Sequence, residues 1–96
     1  VEERDYVLVR TYSAGCFAGE LVSRGGKEVK LAKARRIWYW SGAASLSELA
    51  ARGTSDPGSC KFPCPVDVTL TEAIEIMDVS PEARKSIESV KEWTKH

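Results

Sequence analysis

Ser13-Ala14-Gly15 and Gly25-Gly26 each separate a pair of extended-looking segments by only two or three residues. A parallel pair of strands needs a crossover of a dozen residues or more, so the opening segments must run antiparallel as hairpins. Glycine reaches positive φ without steric cost, which suits both turns. The first segment, Tyr6-Val-Leu-Val-Arg-Thr-Tyr12, is β-branched and aromatic and reads as a strand. Alternation places Val7, Val9 and Thr11 on one face and Tyr6, Leu8, Arg10 and Tyr12 on the other. Both faces carry large groups, which predicts a sandwich-like core or a subunit interface over the second face.

Cys16 to Arg24 and Lys27 to Leu31 continue the extended pattern, and Arg35 to Trp40 predicts a fourth strand. Ser45-Leu-Ser-Glu48 has the spacing of a capping box, and Arg52-Gly53 supplies a cation and a C-cap, so a short helix is expected between them. Thr54 to Pro65, with three prolines and Gly58, reads as an irregular loop. Val66 to Ile76 reads two ways: Thr69-x-x-Glu72 has the spacing to cap a helix carrying Leu70, Ile74 and Met77, but the alternation of Val66, Val68, Leu70, Ile74 and Ile76 predicts one more strand, bulged near Glu72. Ser80-Pro81-Glu82 starts a terminal helix, expected over about 81–92, with Ala83, Ile87 and Val90 on its apolar face and Trp93 extending it. The expectation is a single α+β domain over residues 1–96, its core within about 5–78. It consists of a small antiparallel sheet of about five strands, a short helix after the fourth and a C-terminal helix.

A chain of 96 residues buries only about 60 to 65% of the surface its unfolded form exposes, which excludes a separate cofactor domain. Fourteen basic and 14 acidic side chains cancel, so bulk polyanion binding is not indicated and nucleic acid is disfavoured as a partner. The charge is uneven: residues 1–53 carry nine basic and six acidic groups, residues 54–96 five and eight. Arg24, Lys27, Lys30, Lys33, Arg35 and Arg36 make the densest stretch, read either as an anion-attracting stripe or as a solvated hairpin that protects a sheet edge. No apolar run approaches a membrane span, and Val-Glu-Glu-Arg-Asp is the wrong composition for a signal peptide, so a soluble intracellular protein is expected. Cys16, Cys60 and Cys64 with His96 do not make a four-ligand zinc site, and reduced thiols are expected, although Cys60 and Cys64 are close enough in sequence to pair in an oxidising compartment.

Phosphate-binding loops, dinucleotide fingerprints, nucleophile elbows and zinc-protease motifs are missing from the sequence, and the one histidine lies at its end. Glu72 and Glu75 have acid/base capacity, but surface acids on an acidic half are commoner than catalytic ones. A non-enzyme without metal or cofactor is therefore expected. The constellation that remains is Arg10, Tyr12, Ser13, Arg35, Arg36, Trp38, Tyr39, Trp40 and Ser41-Gly42. Guanidinium groups fork onto phosphates, aromatic faces stack on bases, and hydroxyls beside glycine turns bind anionic oxygens. The same aromatics are used in core packing, and Arg on Trp is an ordinary cation-π contact, so the set reads two ways. Arg35 and Arg36 alternate, so they cannot serve one face unless two subunits meet there.

Arg10-Thr-Tyr-Ser-Ala-Gly15, Ala34-Arg-Arg-Ile-Trp-Tyr-Trp-Ser-Gly-Ala-Ala-Ser-Leu46 and Leu70-Thr-Glu-Ala-Ile-Glu-Ile76 resemble a family of small proteins encoded by tailed bacteriophages, over roughly residues 5–90. The resemblance implies a genomic setting, the cytoplasm of a bacterial host, and supplies no catalytic or ligand residue. In that setting small non-virion proteins act by binding. The expectation is a homo-oligomer that sequesters a nucleotide-type immune signal, a cyclic nucleotide or a cyclic ADP-ribose-like molecule, and so antagonises anti-phage defence. Its ligand residues would be Arg10, Tyr12, Ser13, Arg35, Arg36, Trp38, Trp40 and Ser41. The alternative is direct binding of a host or virion protein.

Overall fold

A computed structural model describes residues 4–94; the N-terminal Val-Glu-Glu and the C-terminal Lys95 and His96 lie outside the described residues. Five antiparallel strands, β1 (Tyr6–Thr11), β2 (Cys16–Gly25), β3 (Glu28–Arg36), β4 (Val66–Leu70) and β5 (Ala73–Asp78), are joined by helices α1 (Leu46–Arg52) and, after the sheet, α2 (Pro81–Ser89). Both hairpins form as the turns require: β1 pairs with β2 and β2 with β3. The α+β class and the five-strand sheet are as expected, but the strands are apportioned differently, so that α1 follows the third strand.

Segments 27–31 and 35–40, expected as two strands, are one strand to Arg36 and a departure from the sheet beyond it. Between them, Ala32-Lys33-Ala34 is a bulge: Lys33 sits at φ 51° with its N–H on Asp67 Oδ1 at 3.1 Å, and the β3–β4 register shifts there. Conversely, Val66 to Ile76 is two strands. The irregularity near Glu72 is not a bulge but the whole connection between them, Thr71-Glu72.

That connection shapes the molecule. The sheet order is β4-β3-β2-β1-β5, so two strands consecutive in sequence occupy opposite edges. Four strand spacings in a flat sheet span roughly 19 Å. Three peptide steps from Leu70 to Ala73 reach at most about 11 Å. The sheet must therefore roll until its edges meet at one end. There, Tyr12 N–H donates to Glu72 O (2.9 Å) and Ala73 N–H to Lys27 O (3.0 Å).

Rolling creates two cores. Val7, Val9, Phe17, Val29, Leu31, Ala34 and Leu70 fill the inside of the roll. Tyr6, Leu8 and Ala18, on the outer face, meet Ile37, Leu49, Ala50, Phe62, Ile87 and Val90. The second face of β1 is thus covered by the chain's own helices and loop, which removes the reason that strand offered for a subunit interface.

Both helix starts follow the sequence. Ser45 Oγ accepts from Glu48 N–H (3.2 Å), and Ser80 Oγ accepts from Ala83 N–H (3.0 Å) ahead of Pro81. The terminal helix is shorter than expected, because Val90 caps it and the chain then extends along the 60–63 segment. Among the described residues no helix is long and apolar enough to cross a membrane.

Candidate binding surface

The structure disperses the constellation read from the sequence over separate parts of the molecule. Arg35 lies in the core, 4% exposed, where its guanidinium donates to the carbonyls of Phe62 (2.7 Å), Val90 (2.6 Å), Ile87 (3.1 Å) and Pro63 (3.3 Å) and stacks on Phe62. Burial pulls it below the usual guanidinium range. With four of its five N–H groups committed and almost no surface in solvent, Arg35 keeps a single N–H and does not fork onto a phosphate as expected. Trp40 is half-buried against the outer core. The Ser41 carbonyl takes the Thr54 hydroxyl, tying residues 41–42 to the loop after α1. Arg10 is exposed and ion-paired to Glu75 at 3.2 Å.

Arg36, Ser13 and Tyr12 gather at the end of the roll where the edges meet. The Arg36 guanidinium lies 4.5 Å over the Phe17 ring and donates through Nη1 to Ala14 O at 2.6 Å. It lines a notch of about 150 Å³ with Thr11, Ser13, Thr69, Thr71 and Glu72. The β1–β2 turn that forms one wall is held by Thr11, whose hydroxyl donates to Gly15 O (2.7 Å) and accepts from Ala14 N–H (2.9 Å). Tyr12 projects beside it, 76% exposed.

Trp38 belongs to a second assembly that sequence reading missed. Three short extended stretches, 38–39, 61–62 and 92–93, lie side by side. Tyr39 bridges Lys61, and Phe62 bridges Glu92. Lys61 N–H donates to Tyr39 O (2.8 Å) and Trp93 N–H to Phe62 O (3.0 Å). On this ribbon the Trp38 and Trp93 rings are parallel within 7°, their centroids 6.2 Å apart. Lys61 Nζ stands 5.4 Å from the Trp93 ring and 5.9 Å from the Tyr39 ring. Trp38, Tyr39 and Trp93 remain 63%, 52% and 44% exposed. Aromatic surface left in water on a domain this small marks a contact site. No local pattern announces Trp93 or Lys61 as its members, because their meeting depends on a pairing between the C-terminal segment and a proline-rich loop.

Arg36 connects the two assemblies. It stands two residues before Trp38, at most about 7 Å between Cα atoms, with Ile37 buried between two exposed side chains. Among the described residues none of the five ion pairs involves Arg36. A cation fixed two residues from a pair of stacked indoles is chemistry that suits an anionic, planar molecule, by charge and by stacking.

The model for a domain of unknown function, DUF6948, matches residues 4–87. The chain belongs to the DUF6948 family. No curated protein and no solved structure matches it. The DUF6948 match includes Arg36, Trp38, Tyr39, Lys61 and Glu72, whereas Trp93 lies beyond it.

Proposed function

We propose that this protein is a non-enzymatic binding protein that holds a small phosphorylated, nucleotide-like ligand across the face running from Arg36 to the Trp38–Trp93 stack. The observation that carries the reading is the unpaired Arg36 guanidinium, held by Ala14 O and the Phe17 ring, two residues from an exposed indole that is already parallel to another. The phosphate sits on Arg36 and the base on the indoles, with Lys61 and Tyr12 at the margins. In the phage setting that the sequence resemblance implies, holding such a ligand in the host cytoplasm withdraws an immune signal from anti-phage defence. The notch, at about 150 Å³, is below the range of drug-sized pockets, so a second copy of the chain over this face encloses the rest of the ligand.

The test is to incubate the protein with cyclic di- and trinucleotides and cyclic ADP-ribose isomers, remove free ligand, denature the protein by heat and assay what is released. Depletion followed by recovery of intact ligand is expected. Recovery of an altered ligand makes the protein an enzyme, and no depletion of any ligand overturns the reading. A second reading, direct binding of a host or phage protein, is favoured by the openness of the Trp38–Tyr39–Trp93 patch, since exposed Trp and Tyr are the residues that dominate protein contacts. Stoichiometric capture of one host protein, abolished by Trp38→Ala, in the absence of any ligand-induced rise in melting temperature, decides for it.

A further inference from the structure

Glu72 shares the notch with Arg36, and a carboxylate there works against a bare phosphate. The two opposite charges do not neutralise each other: among the described residues no acid lies within 4.0 Å of Arg36, and no cation within 4.0 Å of Glu72. Each is held where it stands. Arg36 is fixed by Ala14 O and Phe17. The Glu72 main chain accepts from Tyr12 N–H, and its Oε1 is 3.5 Å from Ser13 Oγ, the long limit for a hydrogen bond. A molecule that satisfies this notch presents an anionic acceptor to the guanidinium and, more than 4.0 Å away, hydroxyl or ammonium donors to the carboxylate.

We propose that the notch is a ribose-phosphate subsite, in which Arg36 takes the phosphate and Glu72, with Ser13, reads the sugar hydroxyls. This rests on the nucleotide reading above and narrows it to ribonucleotides. A carboxylate is the group that accepts from a ribose hydroxyl in dinucleotide sites, and a carboxylate left facing a missing hydroxyl penalises the deoxy analogue. Trp38 stands two residues beyond Arg36, at most about 7 Å between Cα atoms, which is within the reach of a base joined to that sugar.

The test titrates the isotope-labelled protein with matched pairs of nucleoside monophosphates, AMP with dAMP, GMP with dGMP, CMP with dCMP and UMP with dUMP, followed by NMR shifts of the Arg36 side chain and the Trp38 indole. Ribonucleotides are expected to bind about tenfold more tightly, the scale of one hydrogen bond to a charged group. Glu72→Ala should bring the two sugars to a common affinity, with ribonucleotides bound more weakly and deoxyribonucleotides no more weakly than by the wild type. Glu72→Gln, which keeps an acceptor oxygen, should fall between. Glu72 is exposed, so neither variant threatens the fold. Equal affinity within every pair, or an equal loss for both sugars in Glu72→Ala, overturns the subsite while the nucleotide reading stands. Preference for free tryptophan, whose carboxylate and ammonium also match the two charges, overturns it as well. If no monophosphate of either sugar shifts Arg36 or Trp38, the subsite falls, and the depletion assay with the cyclic ligands decides the nucleotide reading separately.

Discussion

Arg35 and Arg36 are neighbours in sequence that do opposite work, because consecutive residues of a strand face opposite sides. Arg35 collects carbonyls from the end of α2 and from the 62–63 segment, and so clamps the middle stretch of the ribbon to the chain that leads into its Trp93 stretch. Arg35→Met should cost about 3 kcal/mol in urea unfolding, since it strands buried carbonyls. It should also abolish the near-ultraviolet circular-dichroism signal of the Trp38–Trp93 pair, which Trp93→Ala removes at little cost in stability. Tyr6, packed under Arg84 at 4.7 Å, is a second residue whose chemistry is set by its surroundings. Burial first, and Glu88 next, push its phenol up to about 12. The folded state thus keeps a proton that the unfolded chain releases near pH 10, so this contribution is complete below pH 10 and is lost as pH rises toward 12. Tyrosinate absorbance should show a step near pH 12 that is missing in Tyr6→Phe.

Helices α1 and α2 meet at Gly53, which caps α1 at φ 80° and ψ −158°, a region open in practice to glycine alone. A Cβ there would collide with the Ser86 side chain, whose hydroxyl accepts from Thr54 N–H (2.9 Å) and donates to Thr54 O (3.2 Å). Gly53→Ala should therefore lower stability by about 2 kcal/mol or more in chemical denaturation, whereas Gly58→Ala, which meets open space, should change little. The elements legible in the sequence are those whose cause is local: the two hairpin turns, the caps at Ser45 and Ser80, and the stop at Gly53. A strand over 35–40 is the wrong expectation because Ile37 to Trp40 has strong strand preference, yet leaves the sheet to pair with Lys61, a partner only the tertiary fold supplies. Val66 to Ile76 reads as continuous because alternation persists on both sides of a two-residue link, and nothing local says that its halves belong to opposite edges. The candidate site is half legible for the same reason. Arg36, Trp38, Tyr12 and Ser13 stand out by type, whereas Lys61, Glu72 and Trp93 enter only through long-range pairing.

At the scale of the molecule, the exposed aromatic face is the one feature that still asks for a second copy, now that β1 is covered from within. Light scattering at micromolar concentration is expected to give a dimer or larger, and Trp38→Ala to return a mass near 10.6 kDa; a wild-type monomer would overturn the second copy and leave the proposed nucleotide site open on one side. The rolled sheet has a consequence in time as well as in space. Val7 pairs with Asp78, and among the described residues β5 lies against no strand but β1, so the first strand of the sheet waits for the fifth. Closing so long a loop before any reward from pairing makes refolding slow for a chain this short, on the order of milliseconds to seconds and in a single phase. On the ribosome, the consequence is sharper. Until residues 73–78 clear the exit tunnel, the β1–β2 hairpin has an unsatisfied edge, and the nascent chain should remain protease-sensitive up to that point, then become resistant in one step.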